Sequence, residues 1–393
     1  MRYLMLFGIL FLLPTIVQAC PLFGSSLEVG GAYTAVSDTP VGWICNPAGI
    51  ALADGQHAEA ANTYIKSSAD GNDLNSFDKS NVTSFNGVMK QKPTYSYGGG
   101  FSVPNYEIIE DSRTQQSSEN SKYFLQLHRE YQQLSFFGGL AKKLNSNWSV
   151  GSTVLIGMDK ASCILDISIL LSGSPQDILL KQISYFAQAT GVKAELILGA
   201  MYKVGMLQAG ISVRGGNFLR SFYNENKNET NTNSITNPQA MVVFVTKDRN
   251  HNPFGQIPIL VNFGSKLQVS PSFYTSGELN YSSAYGKGAF DGYEAVDALF
   301  NGSIGGSYLL SQRFTLSGGL FSTYASHTDL EGENDYYNVT TKGFGESLFL
   351  SYSPGKNEKY ALGGFYVKSH DYSKADSINN KVISATLNYT SDI

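Results

Sequence analysis

Along most of the chain, apolar and polar residues alternate with a period of two. In WSVGSTVLIGM, Trp148, Val150, Ser152, Val154, Ile156 and Met158 share one face, with Ser149, Gly151, Thr153 and Gly157 opposite. MLQAGISVRGG sets Leu207, Ala209, Ile211 and Val213 against Gln208, Gly210, Ser212 and Arg214. VISATLNYT sets Ile383, Ala385, Leu387 and Tyr389 against Ser384, Thr386 and Asn388. Such alternation predicts strands with one apolar and one polar face.

The connections decide between a soluble sandwich and a membrane barrel. Short ones at 91–93, 144–147, 204–205, 311–312 and 353–359 alternate with long ones near 67–83, 104–130, 159–192, 218–255, 284–298, 326–342 and 369–380. Tight turns at one end and large loops at the other predict an all-β transmembrane antiparallel barrel of about 14 strands. The strands are expected to begin near His57, Val82, Thr94, Tyr131, Trp148, Ala194, Met206, Gln256, Ser272, Leu299, Arg313, Gly345, Lys359 and Lys381. The segment MVVFVT (241–246) is read as β-structure within a long loop, outside the wall.

Composition agrees with this reading. Gly (40), Tyr (24) and Phe (23) are abundant and charge is sparse at 15%, as expected of strands facing lipid. A net charge of −4 offers no basic face, so nucleic acid is not an expected partner. No stretch after the start approaches a spanning helix. Residues 1–19 read as a signal peptide: Arg2 opens it, Leu4 to Val17 are nearly all apolar, and VQA ends it. Localisation in a bacterial outer membrane follows as an expectation.

Cys20 directly follows VQA, as at a lipoprotein processing site where the cysteine is acylated. The alternative is a mature N-terminal thiol bonded to Cys45, with Cys163 left over.

A barrel of this size encloses more space than its wall side chains fill. Residues 20–55 precede the wall (56–393) and are natural material for a hatch inside the lumen. Pro40 and Pro47 limit their freedom and Gly42 and Gly49 permit tight turns. Val41, Trp43, Ile44, Ile50 and Ala51 favour burial over trailing in solvent.

The stretch GGAYTAVSDTPVGWICNPAGIALADG resembles the opening of the FadL and TodX family of outer-membrane transporters for long-chain fatty acids and aromatic hydrocarbons. In that family small residues with an alanine–valine pair lead into an Asn-Pro-Ala-Gly hatch motif. Asn46, Pro47, Ala48 and Gly49 match the motif, and Ala35 and Val36 match its approach. The resemblance implies passive uptake of a hydrophobic small molecule. External loops catch the ligand, the hatch rearranges, and the ligand leaves sideways at a kinked third strand into outer-membrane lipid. The third strand here is TYSYGGGFSVP, so Gly98, Gly99 and Gly100 are the candidate lateral gap. Sideways exit suits an apolar solute, which gains about 0.8 kcal/mol per methylene on leaving water. A monomer is expected.

Within 159–192, Ile164, Leu165, Ile167, Ile169, Leu170, Leu171, Ile178, Leu179 and Leu180 make an unusually apolar connection, read as a ligand-docking loop or a lid over the mouth. Arg214, on the polar face of its strand, is the candidate for binding a carboxylate; the alternative is pairing with an acidic wall residue such as Glu278. His57, His128, His251, His327 and His370 are scattered, and neither G-x-S-x-G nor H-E-x-x-H occurs. No enzyme, cofactor or metal is expected. The competing functions are a general porin, a related carrier in secretion, and a barrel lipid hydrolase.

Overall fold

The structure, a computed structural model, describes residues 24–393 apart from 54, 72–76, 119–120, 175–176, 234–238, 249–252, 255, 285–296, 328–338, 356 and 373–376. The signal peptide and Cys20 lie outside the described residues. No described helix is long and apolar enough to cross a membrane. The strands are β1 (His57–Gly71), β2 (Phe77–Gln91), β3 (Tyr95–Ser118), β4 (Ser121–Lys143), β5 (Trp148–Ser174), β6 (Asp177–Val204), β7 (Leu207–Asn233) and β8 (Gln239–Asp248). They continue as β9 (Leu260–Ser270), β10 (Phe273–Ser282), β11 (Leu299–Leu309), β12 (Phe314–His327), β13 (Val339–Tyr352), β14 (Glu358–Tyr372) and β15 (Ser377–Asp392).

Fourteen of these close an antiparallel ring. Neighbours in sequence pair in turn, and β15 returns to β1 from His57↔Asp392 to Gly71↔Ile378. The ring passes from β7 directly to β9. β8 stands outside it, paired among the described residues with the outer part of β7 alone, from Asn224↔Asp248 to Asn233↔Gln239. The MVVFVT segment is therefore β-structure appended to the wall. Closure leaves no lipid-facing ladder edge along the fully paired strands, the condition for crossing a medium without hydrogen-bonding partners.

The outer face carries the apolar half of each alternation. Val154, Ile156, Leu196, Leu198, Phe263, Leu279, Leu348 and Leu362 are all exposed. Aromatic pairs rim this belt. Trp148–Tyr202, Phe273–Tyr308, Phe314–Tyr352 and Tyr360–Tyr389 lie at the end with the short turns, and Phe101–Phe136 and Tyr281–Phe300 lie towards the other. Two aromatic girdles around an apolar band are what a bilayer interface requires.

Strand length is uneven. β5, β6 and β7 have 27, 28 and 27 residues, whereas β9, β10 and β11 have 11, 10 and 11. About 9–11 residues suffice for one crossing, so β3–β7 stand well above the belt. This corrects the expected loops. Most of 104–130 is the paired β3–β4 hairpin, and 159–192 is strand except for its tip. The nine apolar residues from Ile164 to Leu180 lie on paired strands. The alternation hid this because the polar and apolar faces exchange above the belt.

Candidate functional site

Residues 24–53 run inside the ring as short helical turns, Gly24–Val29, Gly42–Cys45 and Pro47–Ala51. Val41, Trp43, Ile44, Ile50 and Ala51 are buried. Asn46 adopts an extended conformation before the last turn, and its side chain accepts from Ala48 N (3.2 Å), with Pro47 at the first helical position. The Asn46 amide also donates to Thr34 O (2.9 Å) and to Ala200 O of the wall (3.3 Å). Gly42 and Gly49 permit close approach: an added Cβ would stand 2.8 Å and 2.5 Å from Ser37 O.

The wall meets this segment with bare backbone. A Cβ on Gly210 would lie 2.6 Å from Thr34 O, on Gly151 2.7 Å from Ala48 N, and on Gly264 2.9 Å from Ala35 N. A Cβ on Gly319 would lie 2.8 Å from Gly30 N, and one on Gly139 2.5 Å from the Trp43 ring. Inward glycines on β4, β5, β7, β9 and β12 thus form a seat around the segment. Acidic side chains complete the grip. Glu59 of β1 accepts from Ser25 N (2.8 Å), Thr39 Oγ1 (2.6 Å) and Val41 N (3.2 Å), and Glu278 of β10 accepts from Thr34 N (2.7 Å). Glu28 of the segment accepts from Lys359 Nζ (2.6 Å) and Asn388 Nδ2 (3.1 Å).

Beneath the segment, towards the short turns, lies a polar cavity of about 370 Å³ lined by Glu28, Tyr33, Asp38, His57, Tyr274 and Lys359. The Tyr33 hydroxyl donates to Asp38 Oδ1 (3.2 Å), and Lys266 stands 3.8 Å from Asp38. Burial, reinforced by the nearby Asp38 and Glu59 carboxylates, pushes the Tyr33 hydroxyl well above its ordinary pKa.

Above the segment, Asp159, Lys193, Glu195 and Arg214 form an ion cluster on the inner faces of β5, β6 and β7. Arg214 Nε lies 2.6 Å from Glu195 Oε2, Lys193 Nζ lies 3.1 Å from Asp159 and 3.6 Å from Glu195, and Tyr131 OH donates to Asp159 (3.3 Å). Arg214 is thus matched by Glu195, two register steps away across β6–β7, and not by Glu278. Its charge is already satisfied inside the cluster.

Higher still, the inner face becomes mostly apolar, with Arg129 of β4 buried between Leu127 and Tyr131. Leu127, Tyr131, Ala161, Cys163, Ala187, Ala189, Tyr223 and Phe254 form one buried cluster, joined by Leu165, Tyr185 and Phe218. Over the same height the outer face turns to Lys160, Ser162 and Asp166 on β5, and Thr190, Gln188 and Ser184 on β6. Of the residues expected in a docking loop, Leu165 joins this inner cluster, Ile164 points outward and exposed, and Ile167 is half-buried. For Ile169, Leu170, Leu171, Ile178, Leu179 and Leu180 the backbone is paired strand, and their side chains lie outside the described residues. The residues that sequence reasoning missed are Leu127, Tyr131, Tyr185, Tyr223 and Phe254. A signal was available on β5 and β6, where Ala161, Cys163 and Leu165 and then Tyr185, Ala187 and Ala189 are apolar at every second position in phase with the polar face of the belt below, but not for Phe254, which lies in a turn.

Gly98, Gly99 and Gly100 do not interrupt the ladder. They pair with Met89, Val88 and Gly87 on one side and with Gly139, Gly138 and Phe137 on the other. The irregularity of β3 lies further on, where one extra residue shifts the register with β4 between Ser102 and Asn105 and with β2 between Val103 and Tyr106. Pro104, which has no N–H to donate, sits in this bulge. Glycine weakens a strand but keeps its donor, so the kink falls at the proline.

Cys45 is disulfide-bonded, and Cys163 is a free, buried thiol.

No family model matches the chain and no curated protein matches it. Solved structures do. A FadL homologue of Pseudomonas aeruginosa aligns with a TM-score of 0.59 at 11% identity, covering 94% of this chain and 98% of that one. The Pseudomonas putida toluene transporter TodX gives 0.61 at 14%, covering 96% and 100%, and the Ralstonia pickettii toluene transporter TbuX gives 0.56 at 15%, covering 96% and 99%. With the closed fourteen-strand ring, these likenesses establish that the chain has the fold of the FadL/TodX-type outer-membrane transporters.

Proposed function

We propose that this protein is an outer-membrane channel for passive uptake of hydrophobic small molecules. One observation carries the reading: above the ion cluster the inner surface is mostly apolar, Arg129 being a buried charge within it, whereas the cavity beneath the N-terminal segment is lined by several charged groups. A hydrophobic molecule is held by the first and rejected by the second, since apolar burial yields about 25 cal/mol per Å² while the charged groups below resist dehydration. Residues 20–55 act as a hatch, with the Asn46–Gly49 turn as the part that rearranges.

Exit is sideways, at the bulge in β3. Phe85 and Phe137, stacked at 5.5 Å on the inner wall, lie below it and provide an apolar threshold. Ligand leaves there into the bilayer without crossing the charged cavity.

The test is accumulation of a hydrophobic probe, 1-N-phenylnaphthylamine, by cells carrying the protein or its Ala189→Asp variant. A charge at Ala189 falls in the middle of the apolar surface, so uptake is expected to drop to the level of cells without the protein. The variant's heat-modifiable migration on gels reports that the barrel is folded. Undiminished uptake by the folded variant removes this surface from the path.

A further inference from the structure

The outer face carries charges that the uptake reading leaves unused. Lys368 of β14 and Lys381 of β15 both occupy outward positions, both are exposed, and they are direct cross-strand partners. Partners on one face of a sheet stand about 4.5–5.5 Å apart at Cβ, and like charges so placed destabilise the pairing. No salt bridge among the described residues involves either lysine.

The flanking strands do not relieve this pair. Beside Lys368, the diagonal positions on β13 hold one lysine and one acid, the exposed Lys342 and Glu346, on either side of Phe344. Beside Lys381, the diagonal positions on β1 are again one of each, the exposed Lys66 and Asp70, on either side of Ser68. Asp78 lies two strands from Lys381 in the same row. On each flank the charges cancel, and the charge of the central pair is left over.

The height of the pair is that of the outer head groups. Tyr360 to Lys368 on β14 and Lys381 to Tyr389 on β15 each span nine residues, counted from the Tyr360–Tyr389 contact of the lower girdle. About 9–11 residues make one crossing, so the lysines stand at the outer edge of the hydrocarbon. Directly below and beside them, Tyr366, Ile383, Leu362 and Phe344 are exposed and apolar. Lysine stems lie along such a surface while the ammonium groups reach the polar layer.

We propose that this pair binds a phosphorylated lipid of the outer leaflet, one phosphate lying between the Lys368 and Lys381 ammonium groups and the acyl chains running down over Tyr366, Ile383 and Leu362. A phosphate has several acceptor oxygens and enough charge to answer both ammonium groups, and its acyl chains hold it at this height. The bound lipid sits next to the seam at which β15 closes the ring on β1. The inference needs only that the ring cross a membrane, and it stands apart from the uptake reading.

The experiment is native mass spectrometry of the folded chain in detergent, titrated with lipid A. The double variant Lys368→Gln with Lys381→Gln is expected to need about ten-fold more lipid A for the same occupancy. Lys368→Arg with Lys381→Arg keeps both charges and should bind as the native chain does. So should Lys160→Gln, which removes an exposed outward lysine on β5, away from the pair. Heat-modifiable migration on gels reports that each variant is folded. Lipid A stripped of its phosphates should bind the native chain no better than intact lipid A binds the double variant, and equimolar inorganic phosphate should not displace the lipid. Equal occupancy of the native chain and the double variant, undiminished binding of the stripped lipid, or displacement by inorganic phosphate overturns the site.

Discussion

The side-chain oxygen of Asn46 occupies the space that a Cβ on Gly199 would need. This single contact joins the motif of the N-terminal segment to the inner face of β6, and it holds only while position 199 has no side chain.

Gly199→Val is therefore expected to unseat the Asn46–Gly49 turn while sparing the outer belt. Asn46 would lose bonds worth about 1–3 kcal/mol where they cannot be replaced by water. Planar-bilayer recording should show a rise in ion conductance. Asn46→Ala should leak too, since it leaves the Ala200 carbonyl without that amide. A silent bilayer for both variants would mean that the turn does not bar the lumen.

Deleting residues 40–51 should leave a steady open channel, because Trp43, Ile44 and Ile50 fill the ring at this level. Conductance no higher than that of the intact chain would show that another part of the molecule bars ions.

At the third strand, structure and sequence motif give different experiments. A Cβ at Gly98 would press on the Val88 carbonyl and lie 2.8 Å from Trp43 Nε1, so β-branched residues at 98–100 are expected to lower folding yield. The sharper variant deletes Val103, which removes the extra residue and restores the register with β2 and β4. Folding should survive and uptake of 1-N-phenylnaphthylamine should fall to background. Normal uptake would close the β3 exit.

Arg214 is expected not to select for carboxylates. Since Glu195 already neutralises it, Arg214→Met should change binding of a fatty acid and of its alcohol analogue by the same factor. Leaving Glu195 with Lys193 alone should cost stability, about 3–5 kcal/mol for a broken buried pair, visible as a lowered thermal midpoint. The double variant Arg214→Met with Glu195→Gln should recover much of it. A selective loss of the acid would restore Arg214 to the binding role.

Thiol titration of the denatured, unreduced chain should count one reactive group, Cys163, because Cys45 is disulfide-bonded. Two or more would show that the bond is absent in the isolated protein. Intact mass on the same sample reports whether Cys20 carries acyl chains.

The ring was legible in the sequence because lipid imposes a strict period on the belt: Trp148 to Met158 and Ile383 to Tyr389 each read correctly. Strands rising from the short turns, such as those expected at Thr94, Trp148 and Ser272, began at or next to the expected residue, at Tyr95, Trp148 and Phe273. Of those descending from the outer end, the tall ones began earlier than expected, β6 at Asp177 and not Ala194 and β4 at Ser121 and not Tyr131, because above the belt water lies outside and the apolar face turns in, whereas the short β11 began at the expected Leu299. The reversed phase reads as a break in alternation, although the backbone ladder continues. The glycine seat was not legible either. Nothing local distinguishes Gly151 from Gly157; only the arrival of Pro47 and Ala48 from a distant part of the chain does.

The glycine seat also makes the wall and its occupant a matched pair. Each bare position answers a particular peptide group, Gly210 to Thr34, Gly264 to Ala35, Gly319 to Gly30. A tail borrowed from another barrel would find these recesses in the wrong places, and a ring assembled without its own tail would have a narrow zone of naked main chain facing water. The two parts of this polypeptide can diverge only together, and the ring has reason to close last, around a tail already in position.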